Sequence, residues 1–66
     1  MAMPEAELWN RLNHALGDAY APTWASTVAV TQLGSRTVAE ALADGVGCLE
    51  VWRAAWAFLE LPPHDL

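Results

Sequence analysis

The side chains best able to do chemistry in this sequence are one cysteine, Cys48, two histidines, His14 and His64, and four tryptophans. Cys48 falls at the expected first turn of the last helix, where the helix dipole favours a thiolate. No histidine or other base stands beside it in sequence, so the expectation is a small packed thiol rather than a nucleophile. His14 has Arg11 one turn before it and Asp18 one turn after, the surroundings of a solvated histidine near a helix C-terminus. His64 lies in a short acidic tail expected to be flexible. One cysteine, two histidines and scattered carboxylates show no metal-ligand spacing. Gly45-Val46-Gly47 reads as a helix connection, not as a phosphate-binding loop. The sequence therefore predicts no catalytic residue, no cofactor and no metal.

The tryptophans point to recognition instead. In a predicted helix over Cys48 to Glu60, Leu49, Trp52, Trp56 and Leu59 form one stripe, with Val51, Ala55 and Phe58 beside it. Glu50, Arg53 and Glu60 are its charged residues, so apolar side chains wrap well over half of the circumference. Such a helix is either the centre of the core or has one stripe turned toward a partner. In the second case Trp52 and Trp56, with Arg53 and Arg36 nearby, are the expected partner interface, because tryptophan and arginine dominate binding hot spots.

The elements that must position these residues are short. The chain has 66 residues, 55% of them hydrophobic, enough for one small domain and no second core. Leu8, Trp9, Leu12, Ala15 and Leu16 recur on one face of a first helix that opens at Pro4 and stops at Gly17. In residues 18–33, Thr27-Val28-Ala29-Val30-Thr31 alternates like a strand, while Tyr20, Trp24 and Val28 step by four like a helix. A lone strand has no partner, so the expectation is helix, as one piece or as two pieces broken near Ser26. Gly34-Ser35 is a break. Thr37 stands three residues before Glu40, a capping box opening a helix over Val38 to Asp44. Gly45 ends that helix, Gly47 caps the next, and Pro62-Pro63 stops it. The expected fold is all-α: a compact bundle of four to five short helices, one domain over 1–66, with 1–3 and 63–66 flexible.

Charge narrows the partners. Eight carboxylates against three arginines, with no lysine, give a net charge of −5. The Thr37–Leu59 helix pair has a helix–turn–helix outline, but its half of the chain carries two arginines against five carboxylates. A recognition unit for DNA is basic, so a DNA-binding helix–turn–helix is the alternative and nucleic acid is not the expected partner. The longest charge-free apolar run, Ala54 to Leu59, is far short of a membrane span. Without a basic and apolar leader pattern, and with a single thiol, the expected location is cytoplasmic.

Several blocks recur together in a recognisable order. They are Trp9-x-x-Leu12, Leu16-Gly17-x-Ala19-Tyr20-Ala21, Trp24-Ala25 and Leu33-Gly34-Ser35-Arg36-Thr37-Val38-Ala39-Glu40-Ala41-Leu42. Gly45-Val46, Val51-Trp52-Arg53-Ala54 and Leu61-Pro62 follow. Over Glu7 to Pro62 the chain resembles a small actinobacterial family of domains of unknown function, whose genes often neighbour those for RecA and RecX. The resemblance implies an all-helical bacterial protein and carries no catalytic residues. Thirteen alanines with no lysine or isoleucine agree with a GC-rich source. Members usually have Asp-Pro where Gly47-Cys48 stands, and a smaller residue at Trp56. The expected function is a non-enzymatic protein-interaction module, through an unknown partner or self-association, accessory to DNA repair or recombination.

Overall fold

The computed structural model describes residues 3–65. Met1, Ala2 and Leu66, part of the two ends expected to be flexible, lie outside the described residues. Four helices follow in order: α1 (Glu5–Leu16), α2 (Ala21–Thr27), α3 (Val38–Ala43) and α4 (Cys48–Phe58). A 3-10 turn at Thr31–Leu33 joins α2 to α3, and a second at Pro63–Asp65 follows α4. The fold is all-α, with no strand among the described residues.

Local chemistry explains where each helix begins. Pro4 sits at the N-cap of α1 with Glu5 and Glu7 in the first turn, where carboxylates complement the positive end of the dipole. Thr37 makes both halves of its capping box: its hydroxyl accepts from Glu40 N at 3.0 Å, and Glu40 Oε1 accepts from Thr37 N at 2.8 Å. Gly47 provides the extended N-cap of α4.

Residues 28–30 correct the helical expectation for that segment. Helix α2 ends at Thr27, and Val28 and Val30 are extended, with ψ of 119° and 117°. Val30 finds the partner that a lone strand lacked: it forms an isolated antiparallel bridge with Arg36, its N–H donating to Arg36 O at 2.9 Å. The reversal between them is possible because Gly34 and Ser35 both carry positive φ, 70° and 62°. The helix stops because Ser26 and Thr27 turn their hydroxyls back onto its own carbonyls, Thr27 Oγ1 donating to Thr23 O at 2.6 Å. β-branched valines then favour the extended state.

Helix α4 is the spine. It packs against α1, α3 and the Thr31–Leu33 turn, while α2 packs against α1 and α3. Val51, Trp52, Ala54 and Ala55 are buried in it, and Cys48, Leu49, Trp56, Phe58 and Leu59 are half-buried. Leu8, Leu12, Trp24, Val30, Leu33, Val38 and Ala41 complete the core from the other elements. Trp24 and Phe58 meet as a tilted aromatic pair with centroids 6.3 Å apart.

Helices α3 and α4 end in the same way with different residues. After α3, Val46 N donates to Ala41 O and Gly45 N to Leu42 O; after α4, Leu61 N donates to Trp56 O and Glu60 N to Ala57 O. Both are Schellman closures, which place one residue at positive φ. That residue is Gly45 at 89° after α3, but Glu60 at 54° after α4. Glu60→Gly therefore relieves left-handed strain and raises stability by up to about 1 kcal/mol, a rise in Tm of about 4–8 °C. Gly45→Ala does the reverse, costing about 1–2 kcal/mol of backbone strain, since open space surrounds its new Cβ. Thermal melts followed by circular dichroism measure both.

Candidate functional site

The structure separates the four residues expected at a partner interface. Trp52 is 1% exposed and is a core residue, so of the two readings open for its stripe the core one holds at this position. It is buried because its stripe faces α1, whose Leu8 and Leu12 are themselves fully buried. Trp56, one turn on, is half-buried, and its Nε1–H donates to Pro62 O at 2.9 Å. This bond ties the chain after α4 back onto the helix. Arg53 is exposed.

Arg36 has structural work. Its Nε donates to Leu33 O at 2.8 Å, and its Nη1 lies 2.9 Å from Asp44 Oδ2. The guanidinium thus caps the carbonyl end of the Thr31–Leu33 turn and links it to the end of α3. The pair with Asp44 is solvent-exposed, and such pairs add at most about 1 kcal/mol.

Sequence reasoning missed a different constellation. Glu7, Asn10, Arg11 and His14 stand at i, i+3, i+4 and i+7 on α1, so they share one helix face. With Trp52 from α4 and His64 from the turn after it, they line an open cleft of about 330 Å³. His64 reaches the cleft because the Schellman closure at Glu60 and the Trp56–Pro62 hydrogen bond reverse the chain after α4. The α1 stripe was readable as a polar face, but its meeting with His64 is a tertiary event with no local signal.

Inside the cleft Arg11 meets both Glu7 and Trp52. Its Nε and Nη2 both lie 3.0 Å from Glu7 Oε2, and its guanidinium carbon is 5.7 Å from the Trp52 ring centroid. A cation over an indole face is attracted by the ring quadrupole, more strongly as water is removed. Trp52 Nε1 is buried and, among the described residues, has no hydrogen-bond acceptor. An unmet buried donor costs about 1–3 kcal/mol, so this one stands out against a core with no other buried polar residue. Cys48 is half-buried at the start of α4 and does not line the cleft that holds both histidines. Among the described residues, no three His, Cys, Asp or Glu side chains converge to hold a metal ion. Among the described residues no helix is long and apolar enough to cross a membrane.

The comparisons place the chain by family. The family model described as "Protein of unknown function (DUF3046)" matches residues 3–64, and the chain belongs to that family. The match includes every block on which the resemblance rests. No curated protein and no solved structure matches the chain.

Burial of Trp52 gives a test of its place. Trp52→Ala removes the largest fully buried side chain and lowers stability by about 3–5 kcal/mol, enough to unfold much of so small a domain. Trp52→Phe costs less than half as much, because the lost volume is offset by loss of the orphaned N–H. Urea denaturation of the two variants measures the difference.

Proposed function

We propose that this member of the DUF3046 family is a small non-enzymatic protein-interaction module of the bacterial cytoplasm. The observation that supports it is the incomplete cover at the end of α4. Trp56, Phe58, Leu59 and Leu61 are all half-buried within six residues, and exposed Arg53 stands one turn before Trp56. Half-covered apolar side chains beside an arginine are the usual composition of a protein contact. Trp56 contributes its ring face, since its N–H is already committed to Pro62. The occupant is another protein or a second copy of the chain.

An accessory role in DNA repair or recombination rests on the resemblance to actinobacterial relatives encoded beside RecA and RecX. That role operates through protein contacts rather than phosphates. Arg36 is engaged by Asp44 and Leu33, and on α4 exposed Arg53 stands one turn after exposed Glu50. A recognition helix with that charge pattern repels the backbone it would have to approach.

Affinity capture from the native cell, with Arg53→Glu and Trp56→Ala beside the wild type, tests the proposal. The wild type retains a specific protein, or sediments as a concentration-dependent oligomer, and Arg53→Glu loses either one at unchanged thermal stability. Equal capture and equal sedimentation by wild type and Arg53→Glu remove α4 from consideration. Duplex DNA gives no retention even at about 50 mM salt, where phosphate contacts are strongest.

A further inference from the structure

Beyond α4 the chain folds back on the helix it has just left. Leu61 N donates to Trp56 O at 3.1 Å, and Trp56 Nε1–H donates to Pro62 O at 2.9 Å. The segment seated there is Leu61-Pro62-Pro63. Pro62 O belongs to an amide between two prolines, so at this point the segment offers an acceptor and apolar rings but no N–H. An aromatic side chain against a proline-rich stretch is how one class of protein grooves takes extended peptides. Two features make the seat exchangeable. The Trp56–Pro62 hydrogen bond is solvent-exposed, as are Pro62 and Pro63 themselves. Reaching the seat also holds Glu60 at a φ of 54°, a region that favours glycine.

We propose that Trp56 takes an extended Leu-Pro-Pro segment of another protein, with the chain's own tail as a built-in competitor for the same seat. This rests on the α4 reading above and names its occupant. In the resting chain the Trp56 N–H is committed to Pro62. Exchange passes that bond to the incoming carbonyl, so the donor is met in both states. Competition decides who the occupant is. The tail acts at about millimolar effective concentration because its tether is short. Left-handed Glu60 lowers its hold about fivefold relative to glycine. A second copy's tail offers the same residues and no further contact, so the tail already in place excludes it at ordinary protein concentrations. A foreign segment extends further and brings a carboxylate to exposed Arg53, one turn before Trp56. Exchange also withdraws His64 from the α1 cleft that it lines.

The experiment is a nuclear magnetic resonance titration of the full chain, following its four indole N–H signals. Trp56→Phe assigns the Trp56 signal, or through-space contacts to residues 60–62 do so if that variant does not fold. The probe is a capped peptide, Asp-Leu-Pro-Pro-Leu-Pro-Pro-Asp, against the same peptide with alanine for every proline. The Trp56 and His64 signals move together and saturate with the proline peptide, at a Kd of about 1 mM or tighter. The alanine peptide binds at least about tenfold more weakly. Two tail variants that keep Trp56 shift the affinity in opposite directions. Glu60→Gly seats the tail more firmly and weakens peptide binding about fivefold, although the fold itself is more stable. Leu61→Ala loosens the tail and strengthens binding by a similar factor. A Trp56 signal that stays still, equal binding of the alanine peptide, or an affinity unchanged in Glu60→Gly overturns the proposal. A concentration-dependent dimer that Glu60→Gly abolishes also overturns it, by assigning the seat to a second copy. Arg53-dependent capture of a protein with no peptide response removes this occupant and leaves the α4 reading standing. Capture indifferent to Arg53→Glu, with no peptide response, overturns both.

Discussion

The structure depends on the seating of Trp52. It is the largest fully buried side chain, and it sits at the contact between α4 and α1. A domain of 66 residues cannot spread its core over many layers, so one indole supplies a large share of the apolar area that offsets chain entropy. That choice brings a polar atom inside. The ring fills the core, its N–H goes unmet, and the Arg11 guanidinium covers its face. The cleft on α1 is therefore a by-product of how the core is closed, and core and cleft cannot be altered independently.

The rest of the fold is made of short reversals that allow brief elements to reach Trp52. Four glycines do much of this, three of them at positive φ, and Ser35 and Glu60 do the same at a cost in strain. Glu60 is the informative case. A glycine there would close α4 more cheaply, as Gly45 closes α3. The strained closure is stabilised by the Trp56 Nε1–Pro62 bond just beyond it. Trp56 thus has a local task in this chain: it fixes the path of residues 60–62 and so the approach of His64 to α1.

Legibility in the sequence followed the range of the interaction. Helices α1 and α4 and the Thr37–Glu40 box are set by neighbours within a few residues, and the sequence predicts them. The wide apolar wrap of α4 was legible too, but it fitted two outcomes. Which outcome holds at Trp52 depends on α1, which no local pattern encodes. The 28–30 segment failed for a related reason. Its β-branched alternation was a true signal, set aside because no second strand was visible, whereas one residue beyond a tight turn sufficed as partner. The cleft was the least legible, since its histidines come from opposite ends of the described chain.

Charge placement binds these observations together. With three arginines and no lysine, each cation has a large effect on where anions can approach. Arg11 is spent on Glu7 and the Trp52 ring, and Arg36 on Leu33 O and Asp44. Arg53 stands one turn after Glu50 on α4. No row of cations is left that could follow a phosphate backbone, whose affinity rises with each phosphate neutralised. In a chain of net charge −5, the approach of an anion is thus set by individual arginines and the carboxylates beside them.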